Sequence, residues 1–172
     1  ITELFQKHSY PFGLIVNVDG ERFLDEGADF RNYTYVTYGR ALMTQPQGLA
    51  FQVFDNKVKH LLRDEYWIPQ ATMAEADTLE ELASRLDIDV EGLVNTVKEY
   101  NAAIQTDIPH NPTVKDGRGT TGLAVNKTNW AETIDTPPYM GWAVTTGISF
   151  TFGGVKINTR GQVVTNAQDP IP

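Results

Sequence analysis

The spacing of apolar residues predicts two adjacent helices in the middle of the chain. Leucines at positions 79, 82 and 86 fall on one face of a helix, and Thr78 and Glu81 have the spacing of a capping box at its start. After Asp89, apolar residues at 93, 97, 100 and 104 repeat the helical period. We therefore predict helices over 79–86 and 90–104. Paired helices of this kind usually cover a sheet, so we interpret their carboxylates as a solvated face.

Short apolar runs bounded by turn residues predict the strands of that sheet. They lie at 12–18, 49–54, 139–145 and 154–164, and the last contains a hairpin that turns at Arg160 and Gly161. A short helix over 36–44 ends before Pro46, and Asp55 has the character of an N-cap for a helix over 56–63. The pattern indicates an α+β fold, a small mixed or antiparallel sheet covered by helices.

Between the first strand and the first helix lies a charged segment, residues 20–32. It carries Arg22 and Arg31 together with four carboxylates, and Phe23 and Phe30 are spaced to anchor it to a core. One interpretation is a surface turn whose charges neutralise each other. The other is a structured loop that holds Arg31 at a reaction centre.

Composition narrows the classes of function. The chain has 172 residues, enough for one domain with a core, and no cysteine, which excludes disulfides, thiolate catalysis and zinc–thiolate sites. A net charge of −8 without a basic patch argues against nucleic-acid binding. There is no apolar run of about 18 residues for membrane insertion and no recognisable leader, which is compatible with a cytoplasmic protein.

An acidic protein repels an anionic substrate at long range, so binding a carboxylate requires local cations. The candidates are Arg22, Arg31, Arg40 and Arg118. The glycines at 117, 119 and 122 have the spacing of a dinucleotide fingerprint, but they lie within an irregular segment, 106–138, and we reject that function for them. The three histidines lack metal-ligand spacing and are interpreted as structural, with His8 the exception because it precedes the first strand near the charged segment.

Two long stretches resemble a known family. VNVDGERFLDEGADFRNYTY and VTTGISFTFGGVKINTRGQVVTNAQDPIP are similar to the capping region of the FAD-dependent fumarate reductase/succinate dehydrogenase flavoproteins. Within that family, GERFLDEGADFRNYTY, KDGRGTTGL and TPPY resemble the tricarballylate dehydrogenases. The resemblance implies that residues 1–172 form a single substrate-capping domain. It also implies that FAD is held by an FAD-binding domain of the same protein, so that FAD binding by this segment alone is not expected.

The resemblance also implies roles for individual residues. Fumarate reductases use an arginine of the capping domain to pass a proton to the substrate while the flavin passes a hydride, and Arg31 aligns with that arginine. Glu26 is expected to orient Arg31 and contribute to its proton relay. The remaining expected substrate-binding residues are Gln6, Thr151 and Arg40, and Gly153 and Gly154 are expected to lie against the cofactor.

Departures from the fumarate reductase pattern leave alternatives open. Arg31 follows Glu26 by five positions, one more than in the pattern, so Arg40 is the alternative catalytic arginine. Gln6 and Ser9 stand where a carboxylate and an arginine are expected, and Phe150 replaces a histidine. These changes favour a related di- or tricarboxylate, such as tricarballylate, over fumarate itself. The competing hypotheses are a stand-alone binding or interaction module and a hydrolase that uses Glu26 and Asp29.

Overall fold

The centre of the fold is a four-stranded antiparallel sheet. The computed structural model describes residues 6–148 and 153–171. The strands are β1 (Leu14–Val16), β2 (Ala50–Phe54), β3 (Met73–Ala76) and β4 (Tyr139–Val144). They lie in the order β1-β2-β4-β3, and each neighbouring pair is antiparallel. The sheet and its helices confirm the predicted α+β class.

Three α-helices accompany the sheet: α1 (Arg31–Met43), α2 (Leu79–Leu86) and α3 (Val90–Ala103). Short 3₁₀ helices occur at Tyr10–Phe12, Pro46–Gly48, Asn56–Leu61 and Asp64–Tyr66. The start of α2 is capped by the Thr78 hydroxyl, which accepts a hydrogen bond from the Glu81 N–H at 3.1 Å. The start of α3 is capped by Asp89, which accepts from the Gly92 N–H at 2.7 Å. Both predicted helices are therefore confirmed.

Helices and turns bury the sheet on both faces. Leu14 and Phe51 point towards α2 and α3, where they form one core with Leu82, Leu93 and Val97. The alternate strand residues point the other way, because side chains along a strand alternate between the two faces. On that second face, Ile15 packs with α1, and Phe54, Met140 and Trp142 pack with the 3₁₀ helices. The two helices that were predicted to cover the sheet, α2 and α3, therefore cover only one of its two faces.

Several predicted boundaries were wrong. The strand predicted at 12–18 is shorter, because Tyr10–Phe12 forms a 3₁₀ turn before it. The segment predicted as a helix over 56–63 is a 3₁₀ helix that ends at Leu61. The strand β3 was not predicted. Within the described residues, 154–164 forms a turn with an isolated Ile157–Val163 bridge and is not part of the four-stranded sheet.

The first helix begins earlier than predicted, at Arg31 rather than at Val36. Its N-cap residue is Phe30, whose side chain makes no capping hydrogen bond, so the usual sequence signal for a helix start is missing. The early start places Arg31 on a rigid element instead of in a loop. Among the described residues, no helix has the length and apolar character to cross a membrane.

Candidate active site

A groove of about 510 Å³ lies beside the first turn of α1. Four parts of the chain form its walls: the arm before β1, the start of α1, the end of the Asn56–Leu61 turn and the long segment 106–138. The side chains that define its chemistry are His8, Phe12, Phe30, Arg31, Arg63 and Trp130. It therefore combines two guanidinium groups and an imidazole with aromatic walls.

Trp130 is the fixed part of the aromatic wall. It is 1 % exposed, and its indole N–H donates to the carbonyl of Val114 at 2.7 Å. Phe30 and Phe12 pack against it with ring centroids 5.3 and 6.2 Å away. Phe23 packs in the core beneath α1. Phe23 therefore anchors the charged segment to a core as predicted, whereas Phe30 packs on Trp130 but stays 40 % exposed.

Arg31 is the first residue of α1 and lines the groove. One terminal nitrogen, Nη1, lies 2.7 Å from Nδ1 of His8. The helix turn that carries Arg31 is tied down by Tyr10, whose hydroxyl lies 3.3 Å from the Arg31 carbonyl and 2.8 Å from the Thr34 hydroxyl. Burial raises the pKa of Tyr10 to about 12, so its hydroxyl stays protonated and available for these bonds. The structure thus holds Arg31 both at its backbone and at its guanidinium.

Glu26 does not orient Arg31, which corrects the expectation from the sequence. Its carboxylate is 0 % exposed and accepts two hydrogen bonds from Arg22, at 3.0 Å from Nε and 2.6 Å from Nη2. It also accepts from the N–H of Ile15 in β1 at 2.9 Å. A carboxylate so enclosed cannot contact a substrate in the groove. Arg22, one of the candidate cations for a substrate, is therefore structural.

A buried lysine completes this polar cluster beneath the sheet edge. Lys127 is 1 % exposed, and its ammonium donates to the Gly13 carbonyl at 2.7 Å. Burial lowers the pKa of Lys127 to about 8, although the negative charge of Glu26 acts in the opposite direction. The guanidinium of Arg22 and the ammonium of Lys127 both lie near the ring of Tyr100, at 5.4 and 5.9 Å from its centroid. Glu26 is therefore the counter-charge for two buried cations.

The other candidate cations lie away from the groove. Arg118 is occupied within the long segment, donating to the carbonyls of Ala131 and Ile108, each at 2.6 Å, and pairing with Glu132 at 2.8 Å. Arg40 is exposed near the end of α1. Nine positions separate it from Arg31, about two and a half helical turns, so the two side chains leave opposite faces of α1. The groove can therefore draw on Arg31 but not on Arg40.

Arg63 was not foreseen. It lines the groove from the end of the 3₁₀ segment, where its side chain is 46 % exposed and pairs with Glu65 at 3.2 Å. Its sequence neighbours carry no motif, and only the folding of 56–63 onto the arm brings it near Arg31. The predicted helix over 56–63 did not indicate that Arg63 would face a groove.

The remaining predicted site residues have different positions. Gln6 is exposed at the start of the described arm and is not among the residues that line the groove. Gly153 and Gly154 are exposed and adopt φ angles of 107° and 151°, which favour glycine. Thr151 and Phe150 lie outside the described residues. For the hydrolase hypothesis, the burial of Glu26 means that the proposed pair, Glu26 and Asp29, cannot flank a substrate in a cleft.

Gly27, four positions before the helix α1 begins, packs tightly against Asn129. A Cβ atom at this position would lie 2.2 Å from the carbonyl oxygen of Asn129, whose side-chain amide donates to the Gly27 carbonyl at 2.8 Å. Gly27→Ala is therefore expected to lower the free energy of unfolding by about 1–3 kcal/mol, measured by urea denaturation. Gly39→Ala is the control, because nothing lies within 4 Å of the added methyl group on α1. It is expected to be neutral or stabilising by about 0.5–1 kcal/mol, and equal losses in both variants would contradict this packing.

Comparison with known proteins places the chain in a family. A family model described as an FAD-binding domain matches residues 1–172. The chain belongs to this FAD-binding family. It is 31 % identical over 160 residues to the NADH:fumarate oxidoreductase of Klebsiella pneumoniae (strain 342), covering 92 % of this chain and 15 % of that protein. It is 27 % identical over 159 residues to the NADH:acrylate oxidoreductase of Vibrio harveyi, covering 88 % of this chain and 14 % of that protein.

A solved structure agrees with the assignment to the FAD-binding family. The open conformation of a flavocytochrome c3 fumarate reductase matches with a TM-score of 0.71 and 27 % identity, over 98 % of this chain and 27 % of that one. The sequence resemblance to the fumarate reductase flavoproteins is thereby confirmed. The chain spans about a seventh of the length of the two curated relatives, so what they do as whole proteins is not carried over by family membership.

Gly153 and Gly154, which the resemblance to the flavoproteins implies lie against FAD, are exposed in the structure. The open backbone at Gly153 and Gly154 has no side chain in the way, and nothing lies within 4 Å of a Cβ atom built at either position. Within the described residues, however, Gly117, Gly119 and Gly122 occur in irregular backbone and not between a strand and a helix, where a pyrophosphate-binding turn is found. The glycines at 117, 119 and 122 therefore do not form a phosphate cradle, and the contact of Gly153 and Gly154 with FAD stays a prediction.

The 172-residue chain by itself is accordingly expected not to retain FAD. In a titration followed by flavin fluorescence, we expect no saturable binding in the micromolar range. Free FMN, which shares the isoalloxazine ring but lacks the adenylate, serves as the comparison. Micromolar or tighter binding of FAD would contradict this expectation.

Proposed function

We propose that residues 1–172 are the substrate-capping region of an FAD-dependent oxidoreductase that acts on the CH–CH bond of a polycarboxylate. The proposed substrate is tricarballylate, which would be dehydrogenated to aconitate. A fumarate- or succinate-like acid is the second candidate substrate. The observation that carries the proposal is the position of Arg31, a guanidinium fixed at the start of a helix and facing a groove. The proposed place of action is the cytoplasm.

The groove supports a carboxylate substrate through its cations. A guanidinium binds a carboxylate bidentately, and its planar fork fixes the orientation of the substrate as well as its charge. The bond from Arg31 to His8 uses one of the five N–H donors, so the rest of the fork can serve the substrate. Arg63 brings a second guanidinium to the same groove. Arg31 is the fixed cation that offsets locally the repulsion expected from a chain of net charge −8, and Arg63, which is 46 % exposed and paired with Glu65, adds less.

The chain's own contribution to the reaction is orientation and proton handling. FAD, when bound, supplies the hydride-transfer chemistry. Arg31 is proposed to hold a substrate carboxylate. In the reducing direction one of its Nη atoms gives a proton to the substrate carbon, and in dehydrogenation the deprotonated guanidine takes that proton back from the carbon. Because the pKa of an arginine lies above about 12, such a proton can only be lent transiently and must be replaced at once. Aromatic side chains, including Trp130 and Phe30, line the groove beside this exchange.

Exposed apolar side chains support the assignment as a capping region. Ile148 is 98 % exposed, Val155 70 % and Ile157 60 %, and all three lie in the last part of the chain. Exposed apolar side chains that lie together mark a contact with another part of a protein or with a ligand, and we propose that these three lie together. We propose that the FAD-binding domain of the same protein covers them. This arrangement would place Gly153 and Gly154 at the boundary where substrate and flavin meet.

The names of the relatives bear on the class of substrate. Fumarate and acrylate are both unsaturated carboxylates, and the relatives named for them match nearly the whole of this chain. This supports a carbon–carbon bond next to a carboxylate as the reacting group. The choice of tricarballylate rests on the resemblance of the sequence segments around Arg31 and Arg118 to the tricarballylate dehydrogenases. It is the most specific part of the proposal.

The test is anaerobic mixing of the natural, flavin-loaded protein with single candidate acids. Tricarballylate is expected to bleach the absorbance of the oxidised flavin, with succinate slower. The trimethyl ester of tricarballylate is the matched control, because it keeps the carbon skeleton and removes the charges that Arg31 would bind. Equal bleaching by the ester, or binding of the acid without any bleaching, would contradict the proposal, and the second result would favour a binding module.

A further inference from the structure

The arm that carries His8 is anchored on both sides of that residue. The carbonyl of Lys7 accepts a hydrogen bond from the side-chain amide of Gln52 in β2 at 3.0 Å. The N–H of Ser9 donates to the hydroxyl of Tyr66 at 2.9 Å. Gln52 is 4 % exposed and Tyr66 is fully buried, so both anchors are held by the core. His8 is therefore presented to the groove from a fixed backbone.

The contact between His8 and Arg31 determines the protonation of the imidazole. Every N–H of a guanidinium is a donor, so Nδ1 of His8 must accept the 2.7 Å hydrogen bond from Arg31. An accepting Nδ1 means a neutral ring that carries its proton on Nε2. Tyr10 and Tyr35 pack against this ring, with centroids 6.4 and 5.9 Å away. The ring is thus held sterically as well as by its hydrogen bond.

Protonation of His8 would break this arrangement, because two cations would then share a contact of hydrogen-bond length. Partial burial, and then the positive charges of Arg31 and Arg63, hold the pKa of His8 below its usual value of 6.5, while Glu65 acts in the opposite direction. At neutral pH the ring is therefore in the accepting form. The titratable and charged groups that face it are Tyr10, Arg31, Tyr35, Arg63 and Glu65.

We propose that His8 is a positioning residue for Arg31: its neutral imidazole accepts at Nδ1 and aims the guanidinium into the groove, and protonation of His8 releases it. The consequence for turnover rests on the function proposed above. The acid limb of the pH profile then reports the protonation of His8, which acts through its hydrogen bond with Arg31. The hydrogen bond itself does not depend on that function.

The first test measures the imidazole directly. In the natural, flavin-loaded protein labelled with ¹⁵N-histidine, the His8 signals are assigned by their loss in His8→Asn. We expect the Nε2–H tautomer at neutral pH and a titration midpoint below 6.5. In Arg31→Gln the midpoint should rise, because one neighbouring positive charge is gone. An Nδ1–H tautomer would overturn the proposal, and so would a His8 titration midpoint that does not change in Arg31→Gln.

The second test uses the geometry of the acceptor. The amide oxygen of His8→Asn sits one bond from Cγ, as Nδ1 does, so this variant is expected to keep most of the turnover and to lose the acid limb. His8→Gln moves the acceptor one bond outwards and is expected to lose turnover by about tenfold or more, since small displacements of a catalytic group are costly. Exposed His60→Gln is the control and should change neither quantity.

The two proposals fail in different ways. If the tautomer and midpoint are as expected but Arg31→Lys retains its turnover, the function proposed for Arg31 is wrong and the His8 contact stands. If Arg31 is essential but His8→Asn and His8→Gln behave alike, or the acid limb persists in His8→Asn, His8 does not position it. Each result therefore decides one of the two proposals.

Discussion

Arg31→Lys is expected to lower turnover of the flavin-loaded protein by at least about 10²-fold, the usual size of an acid–base contribution, while flavin content and fold are unchanged. Lysine keeps the positive charge but loses the planar fork that binds a carboxylate at two points. It also loses the Nη1 atom that meets His8 at 2.7 Å. The first turn of α1 keeps its bond to Tyr10, because that bond uses the backbone carbonyl. Steady-state turnover and the circular dichroism spectrum measure the two effects.

Arg40→Lys is the matched control for this variant. It makes the same chemical change on the same helix, but on the opposite face and away from the groove. We expect turnover within a factor of about two of the parent, as for a surface change remote from the site. If Arg40→Lys loses activity and Arg31→Lys keeps it, Arg40 is the catalytic arginine. That result would contradict the assignment of the groove as the active site.

Glu26→Gln is expected to destabilise the fold by about 3–5 kcal/mol, because it removes the counter-charge from buried cations. The amide keeps the size of the carboxylate, so the loss reports charge and not a cavity. Arg22 is 6 % exposed and would be left without its bidentate partner. The pKa of Lys127, already lowered to about 8 by burial, would fall further without the attraction of Glu26. Urea denaturation at constant pH gives the change in the free energy of unfolding.

A second ion pair of the same spacing and length is the control for Glu26. Arg85 and Glu81 are also four positions apart and 2.6 Å apart, but their side chains are 53 % and 46 % exposed. Glu81→Gln is expected to change the free energy of unfolding by no more than about 0.5 kcal/mol, since exposed pairs contribute little. Similar losses at both positions would show that burial does not set the strength of the Arg22–Glu26 pair.

The parts of the fold that could be predicted are those with local signals. The helices α2 and α3 each begin at a residue whose side chain caps the first turn, Thr78 and Asp89, and each carries an apolar stripe. The strand β4 is a continuous apolar run ended by turn residues. These features depend only on neighbouring residues, so sequence periodicity was sufficient.

The rest depends on contacts between distant residues. The helix α1 starts without a capping side chain, and its first turn is fixed by Tyr10, 21 positions earlier than Arg31. Two arginines, Arg22 and Arg31, lie within five positions of Glu26 in the sequence. Only the burial of Glu26 beside β1 shows that its partner is Arg22. Arg63 joins the groove because Ser9 of the arm bonds the turn that precedes it. No local pattern contains this information.

The most direct test of the proposed site is a crystal structure of the natural, flavin-loaded protein with tricarballylate bound under non-turnover conditions. We expect one carboxylate within hydrogen-bond distance of the Arg31 guanidinium, inside the groove bordered by Trp130 and Arg63. We also expect His8 Nδ1 to remain bonded to Arg31. A ligand bound elsewhere, with no contact to Arg31, would contradict the proposed role of Arg31.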